Sequence, residues 1–257
     1  MRHLICQILA LAFVTNAFAW GQKGHDIVAY IAENHLSPAV AQKVTKALEG
    51  HSMVYYANWM DNASHTPDYY YSLPWHYANV DKGYTFATMP RNEKGDVVGA
   101  IALLTNQLES KKLTAEQESI ALRMLIHLMG DLHCPMHAGR KSDLGGNKVK
   151  VKFFDRKTNL HSIWDSSLVE AAHKWSYTEW QREIDRLSDA EETAVVKGSV
   201  EDWFTQTHAI ACEVYRSIPR NKVYSYNEIA RYAPVIEQQL LYAGLRLAYL
   251  LEQIYAD

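Results

Sequence analysis

The chain has 257 residues, with 26 lysines and arginines against 29 aspartates and glutamates, and a net charge of −3. This balance excludes a protein that holds nucleic acid by a basic field over its whole surface. Three cysteines are too few for a scaffold stapled by disulfides, and the length suits one large domain with a sizeable core. Twelve histidines are a high count, and their positions carry most of the information.

The N-terminus has the features of a secretory signal peptide. Arg2 supplies a positive charge, and the apolar run of eleven residues that follows, 4–14, is too short to span a bilayer. Ala17-Phe18-Ala19 is a small-x-small cleavage site. We therefore expect cleavage between Ala19 and Trp20 to remove residues 1–19 and leave a periplasmic or secreted protein. The alternative is a buried N-terminal helix of the domain.

The remaining sequence is predicted to be mostly helical. Ser37 before Pro38 is typical of a helix start, and Thr114 with Gln117 forms a capping box. Near the C-terminus, apolar residues recur every three or four positions, the pattern of a helix with one face in the core. The expected helices lie near 22–35, 38–49, 53–61, 97–110, 115–134, 161–173, 178–187, 199–217 and 227–255.

The segment 145–161 departs from the helical pattern. Its lysines alternate with apolar residues, which is the period-two signature of a short strand: Lys148, Val149, Lys150, Val151, Lys152 and Phe153. No internal repeat, low-complexity tract or linker divides the chain. The sequence therefore predicts an all-α single domain over residues 20–257 with one small β-hairpin.

Two His-x-x-x-Asp pairs stand in otherwise apolar or aromatic sequence. His127 and Asp131 project from one helix face, and His137 follows after a proline that ends the helix. His161 and Asp165 repeat the spacing. Imidazole nitrogens and carboxylate oxygens are zinc ligands, and one such pair alone would be weak evidence. Two pairs on faces that must bury them favour a metal site.

Two further ionisable groups lie upstream in aromatic surroundings. Asp61 ends the sequence YYANWMD, and His76 lies in LPWHYANV. Taken singly, either could be structural, as a helix-end aspartate or a satisfied core histidine. His133 falls on a different helix face from His127 and is expected to be structural. Surface, capping or signal positions are expected for the others: His3, His35, His51, His65, His173 and His208.

Taken in order, these motifs resemble one family. They are Trp-Gly-x-x-Gly-His from Trp20, an aspartate after an aromatic helix, His-x-x-x-Asp-x-x-x-Pro-x-His from His127, Gly-Gly-Asn before the hairpin, and Leu-His-x-x-Trp-Asp ending at Asp165. The sequence is similar to the S1/P1 nucleases, which are trinuclear-zinc single-strand nucleases of the mung bean type. Their mostly helical fold is shared with zinc phospholipase C.

The resemblance implies three Zn²⁺ ions as cofactors. One zinc is expected on Asp61, His76, His127 and a bridging Asp131, and the second on His137, His161 and Asp165. The third is expected on His25, Asp131 and the main chain of Trp20, through its α-amino nitrogen and carbonyl oxygen. Cleavage before Trp20 would create that amine, since an amide nitrogen is a poor zinc ligand.

The resemblance also implies the reaction. Asp131 and Asp61 would act catalytically through a zinc-bound water that attacks phosphorus, as zinc brings the pKa of a bound water towards neutrality. The expected enzyme is a hydrolase that cleaves phosphodiester bonds of single-stranded DNA and RNA and leaves 5′-phosphates, with 3′-nucleotidase activity. No stable protein partner and no membrane span are implied.

Four positions concern substrate selection or depart from the family pattern. Tyr77 matches an aromatic that stacks on a base, although a core tyrosine is the alternative. Asn79 stands where many relatives have an aspartate that hydrogen-bonds the base edge. Ser64 replaces a basic side chain near the scissile phosphate, and Cys134 replaces a common glutamine.

Three alternatives stay open at this point. A zinc phospholipase C would share the metals, but that branch typically has His-x-x-x-Glu where this chain has His161 and Asp165. A periplasmic zinc-binding protein without catalysis would keep all the ligands. Seven basic residues between Arg140 and Lys157 could steer a phosphate backbone or form a solvated strand face.

Overall fold

A computed structural model describes residues 20–256, so the expected signal peptide lies outside the described residues. The longer helices are α1 (Gln22–Asn34), α2 (Pro38–Ala47), α5 (Val97–Glu109), α6 (Ala115–His133), α11 (Val200–Arg216) and α12 (Tyr226–Tyr255). The shorter ones are α3 (Met53–Tyr56), α4 (Trp59–Ala63), α7 (Leu160–Ser162), α8 (Leu168–Ala172), α9 (Tyr177–Ile184) and α10 (Asp189–Val195).

Helix α6 lies at the centre of the core. Thr114 and Gln117 form the predicted capping box at its start. From Met124 to His133 every residue is buried, so the helix has no solvent face there and must be surrounded by other elements. Helices α1, α5 and α12 pack against it, and the continuous apolar core that results holds its C-terminal half in a fixed place.

A small sheet lies beside this core. Strand β1 (Lys150–Phe153) pairs antiparallel with β2 (Arg156–Asn159), which confirms the predicted hairpin. A two-residue strand, β3 (Val223–Tyr224), adds to the other edge of β1 in parallel. Its shortness gives no alternation to detect in the sequence, so the third strand was not predicted.

The predicted helix 53–61 is divided in the structure. It consists of α3 and α4, with Asn58 at the N-terminal end of α4. The predicted helix 161–173 consists of α7, a π-helical segment (Ile163–Ser167) and α8. Helix α10 was not predicted, because three of its seven residues are acidic and the segment carries little apolar periodicity.

Both cysteines of the described chain, Cys134 and Cys212, are free thiols. Within residues 20–256, no helix combines the length and apolar character needed to cross a bilayer.

Candidate metal centre

Asp131 is the centre of a buried polar cluster. Its carboxylate is inaccessible to solvent near the C-terminal end of α6, so it depends on side chains from other elements. Four histidines converge on its two oxygens: His25 Nε2 at 3.5 Å, His76 Nδ1 at 2.9 Å, His127 Nε2 at 3.4 Å and His137 Nδ1 at 3.7 Å.

Asp61, His76 and His127 form one ligand-type group beside Asp131. Asp61 lies on α4, and His76 ends the 3₁₀ helix Tyr70–His76. The Nε2 atom of His127 is 3.3 Å from Asp61 Oδ1 and 3.2 Å from the Nδ1 atom of His76. Two ring nitrogens that face the same carboxylates at this distance form a site that can accept a cation.

His137, His161 and Asp165 form a second group. His137 lies on the 3₁₀ helix Pro135–Ala138, directly after the end of α6. His137 Nε2 is 3.5 Å from Asp165 Oδ1, and His161 Nε2 is 3.6 Å from Asp165 Oδ2. The π-helical segment carries Asp165, and such segments occur frequently at functional sites.

His25 faces the Oδ1 atom of Asp131 from helix α1. Its ring stacks on His127, with centroids 3.9 Å apart and planes 13° from parallel. A Cβ atom at Gly130 would lie 2.7 Å from His25 Nδ1, so only glycine lets this ring pack against α6. Sequence reasoning did not single out Gly130.

Trp20 lies two residues before α1, and its side chain is buried. The next residue ties this end of the chain to the second group, because the Gly21 N–H donates to the Asp165 carbonyl at 2.6 Å. Eight of the nine predicted ligands therefore lie in one cluster, with Trp20 at its margin. That these residues bind zinc stays a prediction, as does the ligand role of the Trp20 main chain.

Main-chain carbonyls fix the orientation of three rings. In each case Nδ1–H donates to a carbonyl oxygen, which leaves Nε2 as the nitrogen with a free lone pair. The bonds run from His127 to Ala57 (2.8 Å), from His137 to His76 (2.6 Å) and from His161 to Gly145 (2.8 Å). Nothing in a sequence shows which main-chain carbonyl will accept a hydrogen bond from a given histidine, so these partners could not have been predicted.

Gly145 can supply its carbonyl because of its backbone conformation. Its φ of +61° lies in the left-handed region, and an added Cβ atom would lie 2.5 Å from the Met136 carbonyl oxygen. The Gly-Gly-Asn motif before the hairpin is thus explained as part of the support of His161.

Ser64, at the position where the family pattern has a basic side chain near the scissile phosphate, is completely buried. Its hydroxyl lies 3.0 Å from His76 Nε2 and 2.9 Å from the Ser72 hydroxyl. Ser64 therefore orients His76 from behind, and Nδ1 is left to face Asp131.

Burial and mutual charge shift the pKa values of the cluster in opposite directions. Burial alone would raise the pKa of Asp131, but His127 and His137 hold it well below its usual value. Burial and the neighbouring His127 lower the pKa of His25 to about 3. Burial raises the pKa of Asp165 well above its usual value. The cluster is thus an electrostatically coupled unit, not a set of independent ion pairs.

Several ligand-type atoms of the cluster are buried without a hydrogen-bond partner. They are both ring nitrogens of His25, Nε2 of His137 and His161, and Oδ1 of Asp131. An unpaired buried polar atom costs about 1–3 kcal/mol, so five in one place indicate a bound ligand. The donor set of imidazole and carboxylate fits a divalent metal of the zinc type.

Tyr77 and Asn79 lie next to this cluster. The intervening Ala78 N–H donates to the His137 carbonyl at 2.9 Å, which ties the segment to the second group. The Tyr77 ring is 41 % exposed at the edge of a cleft of about 530 Å³, so the alternative of a core tyrosine is wrong. Asn79 lines the same cleft, and its Oδ1 is buried without a partner.

His133, the histidine expected to be structural, has its own partners. His133 Nδ1–H donates to the Met129 carbonyl at 2.8 Å, and its Nε2 accepts from Arg246 at 2.9 Å. This confirms the structural interpretation. The lysines of the hairpin segment, Lys148, Lys150, Lys152 and Lys157, are exposed, and both interpretations of this basic face stay open.

Comparison with known proteins gives matches over nearly the whole chain. Endonuclease 2 of Arabidopsis thaliana is 30 % identical, with 98 % of this chain and 97 % of the relative aligned. Nuclease S1 of Aspergillus oryzae is 29 % identical over 76 % of this chain and 70 % of its own. Nuclease P1 of Penicillium citrinum is 26 % identical over 93 % and 98 %.

One solved structure, the alpha-toxin of Clostridium perfringens, aligns with 92 % of this chain and 66 % of its own at 15 % identity and a TM-score of 0.46. The model of the S1/P1 nuclease family matches residues 20–256. The relatives over this length are named as nucleases, which are hydrolases acting on nucleic acid. The chain therefore belongs to the S1/P1 nuclease family.

Proposed function

We propose that the protein is a zinc-dependent endonuclease that hydrolyses phosphodiester bonds of single-stranded DNA and RNA to 5′-phosphate products. It also acts as a 3′-nucleotidase, because a 3′-nucleotide presents a phosphate on the same ribose oxygen. The observation that carries this proposal is the set of buried, unpartnered ligand atoms around Asp131 in a chain of the nuclease family.

Three Zn²⁺ ions would be held by the residues of the cluster. Asp61, His76, His127 and Asp131 would hold one, His137, His161 and Asp165 the second, and His25, Asp131 and the Trp20 main chain the third. When bound, such ions supply an acidified water and Lewis-acid stabilisation of phosphate oxygens. Their charge also explains how a protein of net charge −3 can attract a phosphodiester.

The chain itself positions these groups. Ala57, His76 and Gly145 hold three imidazoles through their carbonyls, so little reorganisation is needed when a substrate enters. Asp131 and Asp61 are the carboxylates that share the reacting region with these rings. Their role is to keep the water-activating ions in place, and in this sense they are the catalytic residues.

The substrate is recognised at the cleft beside the cluster. We assign base stacking to Tyr77, whose exposed ring is anchored to the His137 segment. Asn79 offers an amide beside it that can donate to or accept from a base edge. An unpaired strand presents a free base at least cost, which gives the preference for single strands.

The domain that carries this activity is residues 20–257. Residues 1–19 are a signal peptide in this proposal, and the enzyme works in the periplasm or outside the cell. Removal of the signal creates the free amine of Trp20, so export and assembly of the third metal site are coupled.

The test is a parallel assay of the processed protein. Metal analysis should give close to three zinc ions per chain, and chelation should abolish activity until zinc is restored. Substrates should include single-stranded DNA, RNA, duplex DNA, 3′-nucleotides and phosphatidylcholine, with end-group analysis of the products. Cleavage of the lipid but not of single strands, or an active enzyme with one metal or fewer, would overturn the proposal.

A further inference from the structure

Cys134 is a buried thiol at the junction of the two parts of the site. It ends α6, and its main-chain N–H donates to the Asp131 carbonyl at 3.0 Å. Its own carbonyl accepts from the N–H of His137 at 2.9 Å. The side chain is inaccessible to solvent, and its position is therefore fixed between the central carboxylate and the second ligand group.

The sulfur faces the second group. Cys134 Sγ is 3.7 Å from Asp165 Oδ1, and Cys134, His137 and Asp165 each offer one ligand atom, all within 4.8 Å of one another. The Nε2 atoms of His137 and His161 are buried and have no hydrogen-bond partner. These two unpaired nitrogens are independent evidence that the group binds a ligand.

The three distances to Asp165 are those expected between neighbouring ligands of one ion. Zinc bonds of about 2.0–2.3 Å at tetrahedral angles place neighbouring ligand atoms about 3.3–3.8 Å apart. The separations here are 3.7 Å from Cys134 Sγ to Asp165 Oδ1, 3.5 Å from that oxygen to His137 Nε2, and 3.6 Å from Oδ2 to His161 Nε2. The distance from the sulfur to the carboxylate oxygen is therefore the one expected for a fourth ligand.

We propose that Cys134 is a protein ligand of the metal ion held by His137, His161 and Asp165. This inference rests on the proposed function for the presence of that ion. The S–H proton leaves to water as the sulfur–metal bond forms, since a coordinating thiol is deprotonated. Thiolate and carboxylate together then balance the charge of a divalent ion, and the soft sulfur shifts the site towards thiophilic metals.

Cobalt substitution distinguishes a sulfur ligand from a thiol that only donates a hydrogen bond to Asp165. The zinc protein is depleted and reloaded with Co²⁺, and its absorption spectrum is recorded. Thiolate bonded to Co²⁺ gives a near-ultraviolet charge-transfer band, whereas oxygen and nitrogen ligands give only the visible bands of the ion. We expect the band in the wild-type protein and in Cys212→Ser, and its loss in Cys134→Ser.

Cys212 is the matched control because it is the other thiol of residues 20–256 and lies on α11. Competition between Cd²⁺ and Zn²⁺ adds a second measure, and Cys134→Ser should weaken cadmium binding by at least about tenfold. A wild-type cobalt protein with visible bands but no charge-transfer band would overturn the inference, even if Cys134→Ser did not fold. Failure to bind any metal would instead overturn the proposed function.

Discussion

Two clusters of histidines and carboxylates in this protein have the same chemistry but different structures. The first surrounds Asp131. The second, which we call the His35 cluster, consists of His35, Asp185 and Glu192 near the end of α1. In the His35 cluster, His35 Nε2 lies 2.9 Å from Asp185 Oδ2, and its Nδ1 lies 3.7 Å from Glu192 Oε2.

The two clusters differ in the hydrogen-bond partners that their histidines and carboxylates have. Both nitrogens of His35 face carboxylates, the three side chains are partly exposed, and water can complete their hydrogen bonds. Around Asp131, carbonyls occupy Nδ1 of His137 and of His161, and Nε2 of both rings is left buried and unpaired. Composition therefore does not identify a metal site. Rings that are held by carbonyls and keep an unused, buried lone pair are the stronger indication of one.

The largest expected effect follows from removing the shared carboxylate. Asp131→Asn should lose bound zinc and lower the nuclease rate by about 10³-fold or more, since several kcal/mol of transition-state stabilisation depend on the ions. The same chemical change in the His35 cluster, Asp185→Asn, is the matched control. It should leave both zinc content and rate unchanged. Equal losses in the two variants would contradict the distinction drawn between the clusters.

The predicted ligand role of the Trp20 amine provides the next test. Protein expressed with an added methionine before Trp20 has an amide nitrogen there, which cannot bind zinc as an amine can. We expect it to fold, to contain one zinc fewer and to cleave at least about tenfold more slowly than processed protein. A one-residue extension after Asp257 is the control. Equal zinc content and equal rates would show that the N-terminus is not a ligand.

Ser64 tests whether ring orientation matters. Ser64→Ala removes the hydroxyl behind His76, and we expect a loss of about 10–100-fold in zinc affinity, measured by competition with a chelator. Thr207→Val removes another buried hydroxyl, one that donates to the Trp203 carbonyl within α11. That control should keep its zinc affinity. If both variants lose affinity alike, general destabilisation is the cause.

The sequence predicted the candidate ligand residues better than it predicted the groups that hold them in place. The period of apolar residues gave the long helices and the hairpin, and the two His-x-x-x-Asp pairs gave the inner part of the site. Ser64 was identified only as a departure from the family pattern, because the sequence does not show which side chains its hydroxyl contacts. The carbonyls of Ala57 and Gly145 carry no residue-type signal, so the supports of the rings could not have been predicted.

Short elements were the other part of the structure that the sequence did not predict. Helix α10, strand β3 and the π-helical segment are too brief for periodicity to detect, and they depend on tertiary packing. Gly130 gave no signal either, because its role is a close contact with a residue 105 positions away, His25. Local sequence fixes which residues can bind a metal, whereas distant packing fixes how they are held.

Base recognition should be separable from metal binding. Tyr77→Ala should raise KM for oligonucleotides by an amount equivalent to about 1–3 kcal/mol of lost stacking, with zinc content unchanged. Tyr84→Ala removes a ring of similar exposure, 48 % against 41 %, that does not line the cleft. It should leave KM unchanged. Unaltered kinetics of Tyr77→Ala on all four homopolymers would remove this residue from the substrate site.

The smallest effect concerns the His35 cluster and appears as a pH dependence of stability. The hydrogen bond to Asp185 raises the pKa of His35 above 6.5, so this contribution is complete below pH 6.5 and is lost as pH rises through the raised pKa. Burial opposes ionisation of Asp185, but the bond to His35 lowers its pKa below 3.8, so its contribution is lost only as pH falls through that lower value.

The pair should therefore stabilise the fold most between about pH 4 and 6.5. His35→Gln should lower the free energy of unfolding by about 1 kcal/mol at pH 5.5 and by less at pH 8, measured by urea denaturation with zinc bound. His51→Gln is the control, because His51 stacks on Tyr55 and faces no carboxylate among the described contacts. A destabilisation that is the same at both pH values would mean that His35 stabilises the fold by packing. The contrast with the Asp131 cluster could then not be explained by the ion pairs of His35.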